Sequence, residues 1–124
     1  MTEIRSYKDL QVWQKSMLLA RTVYTETQGL PKAEIFGLQG QMRRAAVSVA
    51  SNIAEGSRRG TTKDLIHFLR VADGSLAELE TQSLLANDIY PALSFIDSLI
   101  LISEVQRMLA VLIKRLRNSV GTNH

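Results

Sequence analysis

The chain has 124 residues, 45% of them hydrophobic and 22% charged, with no cysteine and a formal net charge of +3. That length fits one domain, able to bury roughly two-thirds of its unfolded surface without a staple; the missing cysteines exclude disulfides and thiolate chemistry and point to a reducing cytoplasm. Met1-Thr2-Glu3-Ile4-Arg5 lacks the apolar core of a signal peptide, and the most hydrophobic stretch, Leu99 to Ile102, is too short to cross a bilayer, so a soluble protein with no membrane partner is expected.

Periodicity predicts four helices and no strand. The first spans about 7–28, with Ser6 and Asp9 at capping-box spacing and Gly29-Leu30-Pro31 as its stop. Leu10, Trp13, Met17, Ala20 and Tyr24 recur at steps of three and four and form its expected core seam. The second helix spans about 37–59 and stops at Gly60. Gly37 and Gly40 blur its start, since each weakens a helix by about 1 kcal/mol relative to Ala. Leu38, Met42, Ala45, Ala46, Val49 and Ile53 make one apolar face, which Val47, Ala50 and Ala54 widen to an arc of roughly 200°. Burial on more than one side follows.

The third helix spans about 62–88, again with a capping-box start at Thr61 and Asp64. Leu65, Phe68, Leu69, Ala72, Leu76, Leu79 and Ala86 line its core face, and Tyr90-Pro91 ends it. The fourth spans about 94–118, with Ile102, Val105, Leu109, Leu112, Ile113 and Leu116 inward, Arg107, Lys114 and Arg115 outward, and fraying at Arg117 and in the tail from Gly121 to His124. Short connections favour antiparallel neighbours, so the expected fold is all-α, an up-down four-helix bundle forming one domain over 1–124.

No catalytic constellation fits this pattern. The chain has two histidines, His67 and His124, and Asp64-x-x-His67 is half of the carboxylate–histidine arrangement a di-iron bundle needs. Gly56-Ser57-Arg58-Arg59-Gly60-Thr61-Thr62-Lys63 lacks the Gly-Lys-Ser/Thr order of a phosphate loop. Neither enzymatic activity nor a metal or other cofactor is expected.

Two polar patterns remain. Arg44, Ser48, Ser51, Asn52, Glu55 and Arg58 share a face of the second helix, and Ser75, Glu78 and Gln82 share a line on the third. Serine and asparagine are weak helix formers, so their accumulation predicts a hydrogen-bonded layer of Arg44, Ser48, Asn52, Glu55, Ser75 and Glu78, with Arg44 or Arg58 paired to Glu78. The second pattern is basic: Arg43-Arg44, Arg58-Arg59 and Lys114-Arg115-x-Arg117 could neutralise the phosphates of RNA or DNA. No aromatic residue is interleaved with them along the chain, which argues against stacking on single-stranded bases. The alternative is a protein–protein scaffold whose arginines serve helix ends and salt bridges.

The segment Phe36-x-Leu38-x-x-Gln41-x-Arg43-Arg44-Ala45-Ala46-Val47-Ser48, followed by Ser51-Asn52-Ile53-Ala54-Glu55-Gly56, resembles the bacterial "four helix bundle protein" family. That family includes proteins encoded in intervening sequences of 23S ribosomal RNA genes. The likeness continues in Phe68-Leu69-x-x-Ala72-x-Gly74-Ser75-x-x-Glu78-Leu79-Glu80 and in Leu10-x-Val12-Trp13, and spans about 7–117. It implies an up-down bundle assembling as a ring-like homopentamer. It also implies kinship with the accessory variability protein of diversity-generating retroelements, a basic barrel that binds a reverse transcriptase and nucleic acid.

Overall fold

The computed structural model describes residues 6–122, with side chains through Val120. Four α-helices follow in order: α1 Gln11–Thr27, α2 Leu38–Ser57, α3 Thr62–Ile89 and α4 Ile96–Thr122. Single 3-10 turns, Tyr7–Asp9 and Lys32–Glu34, precede α1 and α2. Each helix packs on its neighbours in sequence and α4 closes back onto α1, while the backbones of the diagonal pairs stay further apart among the described residues. The result is an antiparallel up-down four-helix bundle. No helix among the described residues is long and apolar enough to cross a membrane.

The α2–α3 contact is the most extensive, and small side chains explain its closeness. Ser48 Oγ and Ser75 Oγ hydrogen-bond across it at 2.9 Å. A Cβ added to Gly56 would sit 2.7 Å from the Phe68 Cβ, so the two backbones meet there only because position 56 has no side chain. The turn beyond depends on Gly60, whose φ of +89° is a region L side chains rarely adopt. Thr61 then caps α3, accepting from the Asp64 N–H at 3.1 Å.

The core is one cluster drawn from all four helices, with Leu19, Met42, Ile53, Leu69, Leu76, Leu79, Phe95, Ile102 and Leu109 fully buried. The faces expected of α2 and of the first half of α4 lie inside it; Phe68 and Leu65 are half-buried, as are Leu112, Ile113 and Leu116 toward the end of α4, and Val47 is exposed. In α1 the expected seam is displaced. The buried line is Val12, Ser16, Leu19, Val23 and Thr27, while Leu10, Trp13, Met17 and Ala20 flank it and Tyr24 is exposed. Two hydroxyls conceal this line from a polarity reading. Ser16 donates to the Val12 carbonyl at 2.7 Å and Thr27 to that of Val23 at 2.6 Å, so each is buried already satisfied.

Helix ends shift by a few residues. Ser6 caps the 3-10 turn rather than an α-helix, and extended Leu10 separates that turn from α1. At the other terminus α4 continues through Gly121 and Thr122, past the point where the sequence predicts fraying; Asn123 and His124 lie outside the described residues, as do Met1–Arg5.

Candidate nucleic-acid interface

An up-down path sends residues distant in sequence to a common end. The start of α1, the α2–α3 turn and the end of α4 meet at one end of the bundle. Ser6, Tyr7, Leu10, Arg58, Gly60, Leu65, Leu112 and Leu116 line a single cavity there. Lys8, Arg58, Arg59, Lys63, Lys114, Arg115 and Arg117 lie at that end, opposed by Asp9, Glu55 and Asp64. The opposite end carries Glu26, Glu34, Asp88 and Asp97 against Lys32 and Arg43. The modest net charge therefore hides a bundle that is basic at one end and acidic at the other.

The seven candidate cations separate by position and by occupation. Arg58, Lys114, Arg115 and Arg117 are exposed at the basic end and form no ion pair or side-chain hydrogen bond among the described residues. Arg59 shares that end, but its guanidinium is held by Glu55 at 3.2 Å and lies 4.9 Å from the centre of the Phe68 ring. Arg43 belongs elsewhere, clamping the end of α1. Its Nε donates to Thr27 Oγ1 at 3.0 Å, its Nη2 donates to the Tyr24 carbonyl at 3.2 Å, and its charge rests over the Tyr24 ring. Arg44 sits midway up α2, beside Gly40 and facing the α2–α3 groove.

In that groove Asn52 Nδ2 donates to the Ser48 carbonyl at 2.8 Å and to Ser48 Oγ at 3.0 Å, and Ser48 bonds onward to Ser75. The expected ion pairs with Glu78 are absent among the described residues. Arg58 cannot reach: it lies at the level of residue 62, and Glu78 is 16 residues further along α3, about 24 Å at 1.5 Å per residue. Arg44 and Glu78, with Gln41 and Gln82, border one pocket of about 360 Å³, but no ion pair joins the two charges among the described residues. Gln82 Oε1 is buried there without a hydrogen-bond partner. Glu55, expected in this layer, turns instead to Arg59.

Aromatic rings absent from the basic runs in sequence are supplied by the fold. Tyr7 shares its cavity with Arg58 and packs edge-on against Trp13, ring centres 5.2 Å apart. His67 packs edge-on against Phe68 beneath Arg59, at 5.1 Å. The basic runs still have no aromatic residue interleaved in sequence, but the fold places the Tyr7 and Phe68 rings beside Arg58 and Arg59.

Carboxylates at the acidic end are occupied in holding the bundle together. Glu26 of α1 accepts from the N–H groups of Asp97 and Ser98 at 3.3 and 3.0 Å and from the Ser98 hydroxyl, capping α4. Glu34 accepts from the Leu38 N–H at 3.1 Å, capping α2, and from the Tyr90 hydroxyl at 2.6 Å. That phenol bond, and then the Leu38 N–H, hold the Glu34 carboxyl below its usual pKa; the same bond pushes the Tyr90 phenol up. No group of three or more potential metal-ligating side chains occurs among the described residues.

A family model described as "23S rRNA-intervening sequence protein" matches residues 8–113 of the chain. No curated protein matches it.

Proposed function

Because the chain belongs to the 23S rRNA-intervening sequence protein family, a family of small helical proteins, we propose that it is a cytoplasmic, non-catalytic protein that binds RNA or DNA through the basic end of the bundle. The observation that carries the reading is the convergence of Arg58, Lys63, Lys114, Arg115 and Arg117 at one end, without ion pairs among the described residues, where only Asp9, Glu55 and Asp64 oppose them. Cations gathered in this way neutralise phosphates and release counterions. Of the seven candidates, Arg58, Lys114, Arg115 and Arg117 are the binding set, with Arg59 beside them; Arg43 acts in the structure and Arg44 in the α2–α3 groove.

The protein acts as a homo-oligomer, a pentamer by family likeness. Large apolar side chains left in solvent support self-association: Phe36 is 91% exposed, and Val47, Leu85, Ile96 and Ile100 are each about half exposed. Several copies multiply a basic surface that one copy presents weakly.

Titration of purified protein with mixed RNA and DNA fragments at rising salt tests the reading. Binding should weaken steeply with salt, and Arg58→Glu/Arg115→Glu should reduce it more than tenfold and flatten the log–log salt slope by about 0.7 to 0.9 for each phosphate no longer neutralised. Lys32→Glu at the opposite end should leave it unchanged. A protein that ignores nucleic acid even at low salt would be a protein–protein scaffold instead.

A further inference from the structure

The basic end is not a flat charged surface. Between the 3-10 turn before α1, the end of α2 and the last turns of α4 it opens into a cavity of about 460 Å³, floored by Leu10, Leu65, Leu112 and Leu116. Arg58 stands at its edge, with Lys114, Arg115 and Arg117 on the flanking turns of α4. A surface that merely repelled its own charges or gripped a duplex backbone has no need of an apolar hole among its cations. The volume falls in the range that holds one small organic group.

Two hydroxyls at the cavity give it direction. Ser6 Oγ accepts from the Lys8 N–H at 3.0 Å, which leaves its own proton to donate. The Ser57 hydroxyl donates to the Ile53 carbonyl at 2.8 Å, which leaves its lone pairs to accept. The cavity's lining thus includes the Ser6 and Ser57 hydroxyls, four leucines, Tyr7 with its ring and hydroxyl, and the Arg58 guanidinium. An acyl chain would suit the leucines but leave both hydroxyls unused. A planar heterocycle with donors and acceptors on its edge and a phosphate attached uses all of them. We infer that this cavity receives one unpaired nucleobase of a bound strand, with the adjoining phosphates on Arg58 and the Lys114–Arg117 turns.

This inference rests on the nucleic-acid reading above and sharpens it to single-stranded or unpaired nucleotides. Trp13, the only tryptophan of the chain, touches Tyr7 edge-on and reports on the site without labelling. The test is a fluorescence titration of the full chain, at low salt, with three probes of equal charge: a ten-nucleotide single strand, a blunt duplex, and a ten-unit abasic ribose-phosphate chain. The single strand should bind about tenfold more tightly than the abasic chain, the difference one stacked base provides, and should change Trp13 emission where the abasic chain does not. Tyr7→Leu, which keeps the cavity apolar but removes the ring, should abolish that preference while binding of the abasic chain persists, and Leu116→Phe, which narrows the cavity without altering charge, should change it. Equal binding of all three probes, unchanged by Leu116→Phe, would overturn base insertion and leave phosphate binding standing. Binding of none of them would overturn both.

Discussion

Two carboxylates, Glu26 and Glu34, tie the acidic end together, and the second gives the protein a defined pH window. Glu34 has a folded pKa below its unfolded value, so its contribution is complete above the unfolded carboxyl pKa, about 4.3, and is lost as pH falls through the folded one. Tyr90 is raised, so its contribution is complete below the ordinary phenol pKa, about 10, and is lost as pH rises through the folded value. Tyr90→Phe removes the Tyr90 dependence and the larger part of that of Glu34, leaving the part due to the Leu38 N–H. Thermal melts of the variant and the parent should differ near neutrality and converge at the acid and alkaline extremes; a constant difference across pH would refute the linkage. Neither role was legible in the sequence, because the partners stand 56 residues apart and glutamates near helix ends read as ordinary solvated charge. Ser16 and Thr27 misled in the opposite direction, being core positions whose hydroxyls are satisfied within their own helix.

At the scale of elements, the α2–α3 contact is where side-chain size matters most. The Phe68 Cβ that an added methyl at position 56 would strike is held by its own helix and cannot rotate away. Gly56→Ala should therefore destabilise the bundle by about 1–3 kcal/mol, as overpacking does, although alanine favours helix over glycine by about 1 kcal/mol. Urea denaturation would read it, and a stabilised variant would show that α2 and α3 can move apart. Gly74 supplies the control, since a Cβ there meets nothing within 4 Å and Gly74→Ala should stabilise. The apolar face of α2 was legible because Leu38, Met42, Ala45, Ala46, Val49 and Ile53 are all apolar and all buried. The Ser48–Asn52–Ser75 group was legible in kind, because short polar residues on facing stripes have few other uses. Its ionic part was not, since periodicity fixes the face of a residue but not its level along the partner helix.

The molecule as a whole shows an asymmetry no stretch of sequence displays. Arg58 and Arg115 are far apart in the chain, and only the alternation of helix direction brings them to the same end. The apolar surface has the same character, with Phe36, Val47, Leu85 and Ile100 on separate elements. If copies associate through it, the melting temperature should rise with protein concentration. Phe36→Ser should remove much of that dependence while leaving the helical signal of the dilute protein intact. A melting temperature independent of concentration in the parent would argue for a monomer.

Tyr7 and Leu116 border one cavity, so the path of the chain comes back to the level of its first helix. Traced from Tyr7 to Leu116 it is close to a closed loop with its seam at the basic end. Anything joined there, whether an affinity tag, a fluorescent protein or a second copy in tandem, would be tethered on top of the cations and compete with a polyanion for them. A circular permutant that links the Tyr7–Asp9 turn to the end of α4 and opens in the Tyr90–Ser94 connection would place the new ends at the acidic end. It would leave the basic surface uncovered for tethering to a support.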